Sequence, residues 1–292
     1  MEKMLEEMRQ EINLKLDHYL PEADGRLAHI YDAMRYSVLA GGKRIRLILL
    51  LLAYEAVDGK EEDVYPFACA MEMIHTYSLI HDDLPAMDDD DFRRGIETNH
   101  IKYGEWTAIL AGDALLNQAF EVMLDAAMEN PKLSYIEAMH ILSIASGTRG
   151  MIGGQVVDII SETKKADNET IEFICRHKTA ALMVAPVEMG AVLGGATKEE
   201  AQGLCTFATN LGMAFQIADD ILDILSTEEE LGKPINSDFK NNKSTYVSIN
   251  GVKKAQRKVE ELTNEGVKAL EILGKRGDKL KSLALYLTSR TY

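Results

Sequence analysis

The sequence predicts an all-α fold, and three observations predict it. Only 6 prolines occur in 292 residues. Long windows carry no cluster of turn residues, and apolar residues recur at helical spacing with no convincing period-2 strand anywhere. Taken in order, Leu5, Met8, Ile12 and Leu16 mark a first amphipathic helix, ended near Pro21 to Gly25. Gly41 to Lys43 breaks the chain again, before the longest apolar run, Leu47 to Tyr54. After a break at Asp58 to Glu62, Met71 to Ile80 reads as an apolar helix that runs into a charged loop, Pro85 to Glu97. Ile109 to Leu116 and the set Tyr135, Ala138, Ile141, Leu142 and Ala145 are helical stripes on either side of a break at Asn130 to Lys132. Further breaks fall at Lys164 to Asn168, Gly195 to Lys198 and Ser226 to Ser244. About ten or more helices result. No break has the length or composition of an interdomain linker, so residues 1–292 are expected to form a single bundle domain.

Composition narrows the function. A net charge of −15 disfavours nucleic acid and a polybasic membrane anchor. Apolar content of 46% supports a real core. Cys69, Cys175 and Cys205 are scattered, odd in number and without C-x-x-C spacing, which reads as buried thiols in a reducing compartment. The acidic, amphipathic N-terminus is no secretory signal, and Leu47 to Tyr54 is too short to cross a bilayer. A soluble, cytoplasmic protein is expected.

Two loops are rich in charge, and each follows a helix that ends in carboxylates. The first runs His81-Asp82-Asp83-Leu84-Pro85-Ala86-Met87-Asp88-Asp89-Asp90-Asp91-Phe92-Arg93-Arg94-Gly95. Asp82 and Asp83 stand at a helix C-terminus, the end whose dipole disfavours anions. A cation removes the conflict, and Mg2+ with its oxygen ligands suits the set; a solvated acidic loop is the other reading. The second cluster is Phe215-Gln216-Ile217-Ala218-Asp219-Asp220-Ile221-Leu222-Asp223. Asp219 and Asp223 are four apart and share a helix face, with Gln216 on the same stripe. Carboxylates on a largely buried helix carry a desolvation cost that metal offsets. Two such clusters point to several metal ions and a diphosphate.

Cations for a further phosphate group are present. Gly41-Gly42-Lys43-Arg44-Ile45-Arg46 places a glycine pair before a helix start with three basic residues, an anion-binding pattern that is weak alone. His75 lies seven residues before Asp82, two helical turns or roughly 10 Å. A packed core histidine is the plain alternative there, and a surface pair balancing local acid is the alternative for Arg93-Arg94.

With these residues in place, the chain resembles the bacterial short-chain trans-prenyltransferases of the polyprenyl synthetase family, closest to those that make farnesyl diphosphate. The likeness runs nearly end to end. It includes G-G-K-R-I-R at 41 to 46, I-H-T-Y-S-L-I-H-D-D-L-P-A-M-D-D-D-D at 74 to 91 and R-R-G at 93 to 95. G-x-x-G-G-Q-x-x-D at 150 to 158, H-K-T-A-A-L at 177 to 182, F-Q-I-A-D-D-I-L-D at 215 to 223, L-G-K at 231 to 233 and K-S-T-Y at 243 to 246 continue it. Both aspartate motifs, in order and with the basic elements, are specific.

The resemblance implies a large helical bundle of the isoprenoid synthase type around a central cavity. It implies condensation of isopentenyl diphosphate with dimethylallyl or geranyl diphosphate, through an allylic cation. Asp82, Asp83, Asp88 and Asp219 would hold three Mg2+, with Asp220 and Asp223 supporting the second site directly or through water. Arg93, Lys178, Lys233 and Lys243 match positions that bind the allylic diphosphate, and Thr179 and Gln216 supply dipoles for positive charge. Gly42, Lys43, Arg46, His75 and Arg94 match the metal-free isopentenyl diphosphate site. Gln155 and Asp158 look like supporting groups, with helix packing as the alternative. The family is commonly homodimeric.

Product length is read from Tyr77, five residues before Asp82, where a bulky aromatic resembles the farnesyl makers. Ser78 is nearer the Asp82 face, so helix geometry supports this only in part. Leu47, Glu97 and Ala180 depart from the usual Pro, Pro and Gly; the Ala180 methyl is expected close to the allylic site. A geranylgeranyl-forming member and a non-catalytic partner subunit are the alternatives. Intact clusters disfavour the subunit, Lys43, Arg46 and His75 disfavour a terpene cyclase, and absent D-x-D-x-D-G spacing disfavours a calcium module.

Overall fold

The computed structural model describes residues 1–60, 62–162, 166–225 and 245–289. The fold is all-α. Helices follow as α1 (Glu2–Tyr19), α2 (Ala28–Leu39), α3 (Ile45–Ala56), α4 (Tyr65–Asp82), α5 (Asn99–Tyr103), α6 (Glu105–Glu129) and α7 (Leu133–Ser146). Then come α8 (Met151–Glu162), α9 (Asn168–Ile174), α10 (Ala181–Leu193), α11 (Lys198–Leu225), α12 (Tyr246–Asn250), α13 (Val252–Ala269) and α14 (Asp278–Thr288). Two compact units are formed, one of residues 2–48 with 61–139, the other of residue 1, 49–60 and 140–292. Each is taken by itself.

In the first unit α4 supplies the core. Pro66 starts it, where a missing N–H costs nothing, and Phe67, Met71 and Ile74 are fully buried. Ala108, Ala111, Leu115 and Ala119 form the matching buried apolar stripe of α6, which packs on α4. Gly112 belongs to that stripe for a steric reason: a Cβ there would lie 2.1 Å from His81 Nε2. Ile12 and Leu16 turn the apolar face of α1 inward.

The chain leaves α4 at Asp82, and Asp83 caps it with its N–H on the Leu79 carbonyl at 3.0 Å. A hairpin then departs from the expectation of no strand: β1 (Phe92–Arg93) pairs antiparallel with β2 (Ile96–Glu97). Strands of two residues are too short to show a period. Its turn residues, Arg94 and Gly95, have φ of 54° and 81°, the signs a two-residue hairpin with right-handed strand twist requires.

In the second unit α11 is the spine. At its start the Thr197 N–H donates to Glu200 Oε2 and the Glu200 N–H to Thr197 Oγ1, a capping box legible as T-x-x-E. Ala214, Ile217, Ala218 and Ile221 pack against Val247 of α12 and Ala255, Val259 and Leu262 of α13. Between α9 and α10, residues Cys175–Ala180 widen into a π-helical turn. Asp167 caps α9 by accepting from Thr170 N at 2.8 Å. Breaks at Gly104 and Gly251 were not legible as turn clusters, because one glycine at positive φ makes each of them. Among the described residues, no helix is long and apolar enough to cross a membrane.

Candidate functional site

The cationic loop of the first unit is built on backbone that only glycine adopts easily: Gly41 and Gly42 have φ of 87° and 125°. Arg44 follows at φ 52°, turned inward. Its Nε donates to Asn13 Oδ1 (3.0 Å), Nη1 to Glu72 Oε1 (2.6 Å) and Nη2 to the Val38 carbonyl (2.6 Å). Of the three basic residues here, Arg44 is therefore internal, while Lys43 is exposed and Arg46 half-buried. Arg46 Nη1 lies 3.1 Å from His75 Nε2. A guanidinium only donates, so Nε2 accepts and the proton of the neutral ring sits on Nδ1. Burial and the charges of Arg46, Arg94, Arg93 and Arg44 hold the imidazole well below its usual pKa, so it is neutral at pH 7. Arg94 donates to the Gly41 carbonyl. Its guanidinium lies so close to Gly42 that a Cβ there would sit 2.7 Å from Cζ. Gly42 and Arg94 thus meet, as do Arg46 and His75.

Asp83 is 3% exposed and receives Arg93 Nε at 2.6 Å and Nη2 at 2.5 Å. Burial raises its pKa; the Arg93 hydrogen bond and charge draw it back down. The same Nη2 reaches Asp90 at 3.3 Å. Asp82 and Asp88 are half-buried, and the Asp88 N–H holds the Asp82 carbonyl at 2.9 Å. Among the described residues, no three His, Cys, Asp or Glu side chains converge as a ready metal-ligand set. Asp83 pairs with Arg93 instead. The donors are all carboxylate oxygens, the chemistry that fits Mg2+ and not a soft metal.

In the second unit Asp219 is exposed, whereas Asp220 and Asp223, on the same helix, are buried. Asp220 accepts from Gln216 Nε2 at 2.8 Å and from the Tyr246 N–H at 3.2 Å, tying α12 to α11. Lys178, on the π-helical turn, donates to Asp158 Oδ2 at 2.5 Å. The glycine motif before Asp158 has its reason here. A Cβ on Gly154 would lie 2.2 Å from Lys178 N, so only glycine lets α8 meet that turn backbone to backbone. Gln155 and Thr179 are half-buried. Lys233 and Lys243 lie outside the described residues.

Tyr77 is 4% exposed, with its ring edge-on to His81 at 5.8 Å between centroids. Burial and Asp82 push its phenol up to about 12, and among the described residues its hydroxyl has no hydrogen-bond partner. Ser78 donates to the His75 carbonyl at 2.8 Å. The Ala180 methyl packs on α11, where a Cβ built on Gly212 would stand only 2.9 Å away. Glu72 was not singled out in the sequence, although a lone carboxylate between Pro66 and Ile80 was the available signal.

The polyprenyl synthetase family pattern matches residues 27–276. The chain is 46% identical over 267 residues to a geranylgeranyl diphosphate synthase of Cyanophora paradoxa, covering 91% of this chain and 89% of that one. It is 46% identical over 260 residues to a farnesyl diphosphate synthase of Geobacillus stearothermophilus, covering 88% and 87%. The geranyltransferase of Helicobacter pylori, solved with magnesium and isoprenyl diphosphate, superposes with a TM-score of 0.84 at 32% identity, covering 98% of this chain and 96% of that one.

Proposed function

This chain belongs to the polyprenyl synthetase family, and we propose that it condenses isopentenyl diphosphate with dimethylallyl and geranyl diphosphate to release farnesyl diphosphate and diphosphate. Prenyl transfer rests on the family, on the cationic cluster at Gly42, Arg46, His75 and Arg94, and on the two aspartate clusters. The observation that supports the product is Tyr77: a bulky ring, 4% exposed, five residues before Asp82.

Asp82, Asp83, Asp88, Asp219 and Asp223 hold Mg2+ in this reading, with Asp220 supporting the second cluster. Bound Mg2+ supplies Lewis-acid stabilisation of the allylic diphosphate as it leaves. Arg93 and Lys178 hold that diphosphate, together with Lys233 and Lys243, and Asp158 fixes the lysine that does so. The allylic C–O bond breaks with its electron pair going to diphosphate. Oxygen dipoles of Thr179 and Gln216 favour the carbon that becomes positive. Gly42, Lys43, Arg46, His75 and Arg94 hold isopentenyl diphosphate so that its double bond attacks that carbon. A proton is then lost, with the departed diphosphate as its acceptor. Residues 1–292 act as one prenyltransferase domain, and the exposed Trp106, Ile109 and Leu110 of α6 support a homodimer.

The experiment is a product assay with Mg2+, isopentenyl diphosphate and either dimethylallyl or geranyl diphosphate. A fifteen-carbon product from both starters supports the reading. A twenty-carbon product keeps the chemistry and rejects Tyr77 as the floor. No elongation by folded protein rejects catalysis.

A further inference from the structure

We infer that Glu72 is a positioning residue: an internal counter-ion that sets the isopentenyl diphosphate cations in place before substrate arrives. Glu72 is 1% exposed and stands in a helix whose neighbouring buried positions are almost all apolar. Its Oε1 receives Arg44 Nη1 at 2.6 Å and lies 4.0 Å from Arg94 Nη2. Arg44 and Arg94 belong to different loops, yet both are non-glycine residues at positive φ, 52° and 54°. That conformation is disfavoured for a residue with a side chain and persists only where surroundings impose it. Here the same carboxylate attracts both guanidinium groups. Arg44 ties the G-G-K-R loop to α4 through Glu72, to α1 through Asn13 Oδ1 and to α2 through the Val38 carbonyl. Arg94 bonds back to Gly41 and rests on Gly42. The loop that carries Lys43 and Arg46 and the turn that carries Arg94 are thus fixed to one buried charge. Positively charged groups that would otherwise repel one another remain clustered, which is the arrangement an arriving diphosphate requires.

The inference rests on the proposed role of Arg94 toward isopentenyl diphosphate, and its test separates the two. Initial rates of wild type, Glu72→Gln, the double variant Arg44→Met/Glu72→Met and Arg94→Gln are measured with each substrate varied in turn. The double variant covers the case that Glu72→Gln leaves Arg44 buried without its partner and fails to fold, since apolar replacement of a buried pair is well tolerated. In whichever Glu72 variant folds, KM for isopentenyl diphosphate rises about tenfold, the scale of loosening one charge-assisted contact. KM for the allylic substrate stays within about twofold of wild type. A rise in both KM values together, or an unchanged isopentenyl KM in a folded variant, overturns the inference. If Arg94→Gln leaves isopentenyl KM unchanged, the reading of the site fails, and Glu72 is then judged by 15N relaxation of the Arg94 side chain. Loss of order there in the folded Glu72 variant upholds the anchor, and unchanged order rejects it.

Discussion

Replacing Gly154 by alanine should uncouple Lys178, the lysine proposed to hold the allylic diphosphate, from Asp158. The new Cβ would stand 2.2 Å from Lys178 N, 2.6 Å from Lys178 Cα and 2.8 Å from His177 C, whereas ordinary contact begins at 3.4 Å. All three are backbone atoms, so no side chain can swing aside. Helix α8 and the π-helical turn must part by about 1 Å, which as overpacking costs about 1–3 kcal/mol. The Lys178–Asp158 bond starts at 2.5 Å; lengthened by that amount it passes the hydrogen-bond limit. A charge-assisted bond contributes about 1.5–3 kcal/mol, so misplacing Lys178 lowers kcat/KM for the allylic substrate by about 10–100-fold. The assay varies the allylic diphosphate at saturating isopentenyl diphosphate, then the reverse, with Tm from calorimetry. Tm should fall by a few degrees, and KM for isopentenyl diphosphate should hold. Asp158→Asn, which keeps the volume, should reproduce the kinetic loss without the full loss of Tm. A Gly154→Ala protein with wild-type kcat/KM and Tm refutes the close-approach account.

Tyr77→Phe should leave product length unchanged, since the hydroxyl makes no hydrogen bond among the described residues, while Tyr77→Ala should shift product toward twenty carbons or longer; chromatography of the released prenyl chains decides both. Asp82→Asn should lower kcat by about 10²–10³-fold, the scale of removing one fixed charge at a developing transition state, and raise the Mg2+ concentration for half-maximal rate. His75 has its pKa depressed in the folded protein by burial and by Arg46, Arg94, Arg93 and Arg44. Its contribution to stability is therefore present above the unfolded value of about 6.5 and lost as pH falls below it. The slope of Tm between about pH 6.5 and 5 should accordingly be shallower in His75→Gln, and an identical slope refutes it. Gly212→Ala should lower Tm in calorimetry, because its Cβ would press on Ala180 Cβ at 2.9 Å and on the Ala180 backbone at 3.0 Å.

Much was legible from residue order alone. Helical periodicity gave the all-α class because burial of one face imposes a 3.6-residue repeat that needs no partner to be seen. Asp82 and Asp83 were placed at a helix end because an apolar run stopped at them. Charge pattern also separated the carboxylate loops from the cationic loop. Other features depend on which backbones meet. Nothing in the order of residues says that Arg44 turns inward to Glu72 while Arg46 turns to His75, since both are arginines two apart. Nor does it say that Asp220 is committed to Gln216 and Tyr246, that Ala180 points at Gly212, or that Gly154 exists to admit Lys178. The hairpin at 92–97 escaped for a related reason. Two-residue strands have no period, and only their positive-φ turn and its contact with the glycine loop define them. A sequence records each residue's own preferences for water, conformation and charge; which of several equivalent partners it takes is decided by packing distances that exist only after the chain has folded.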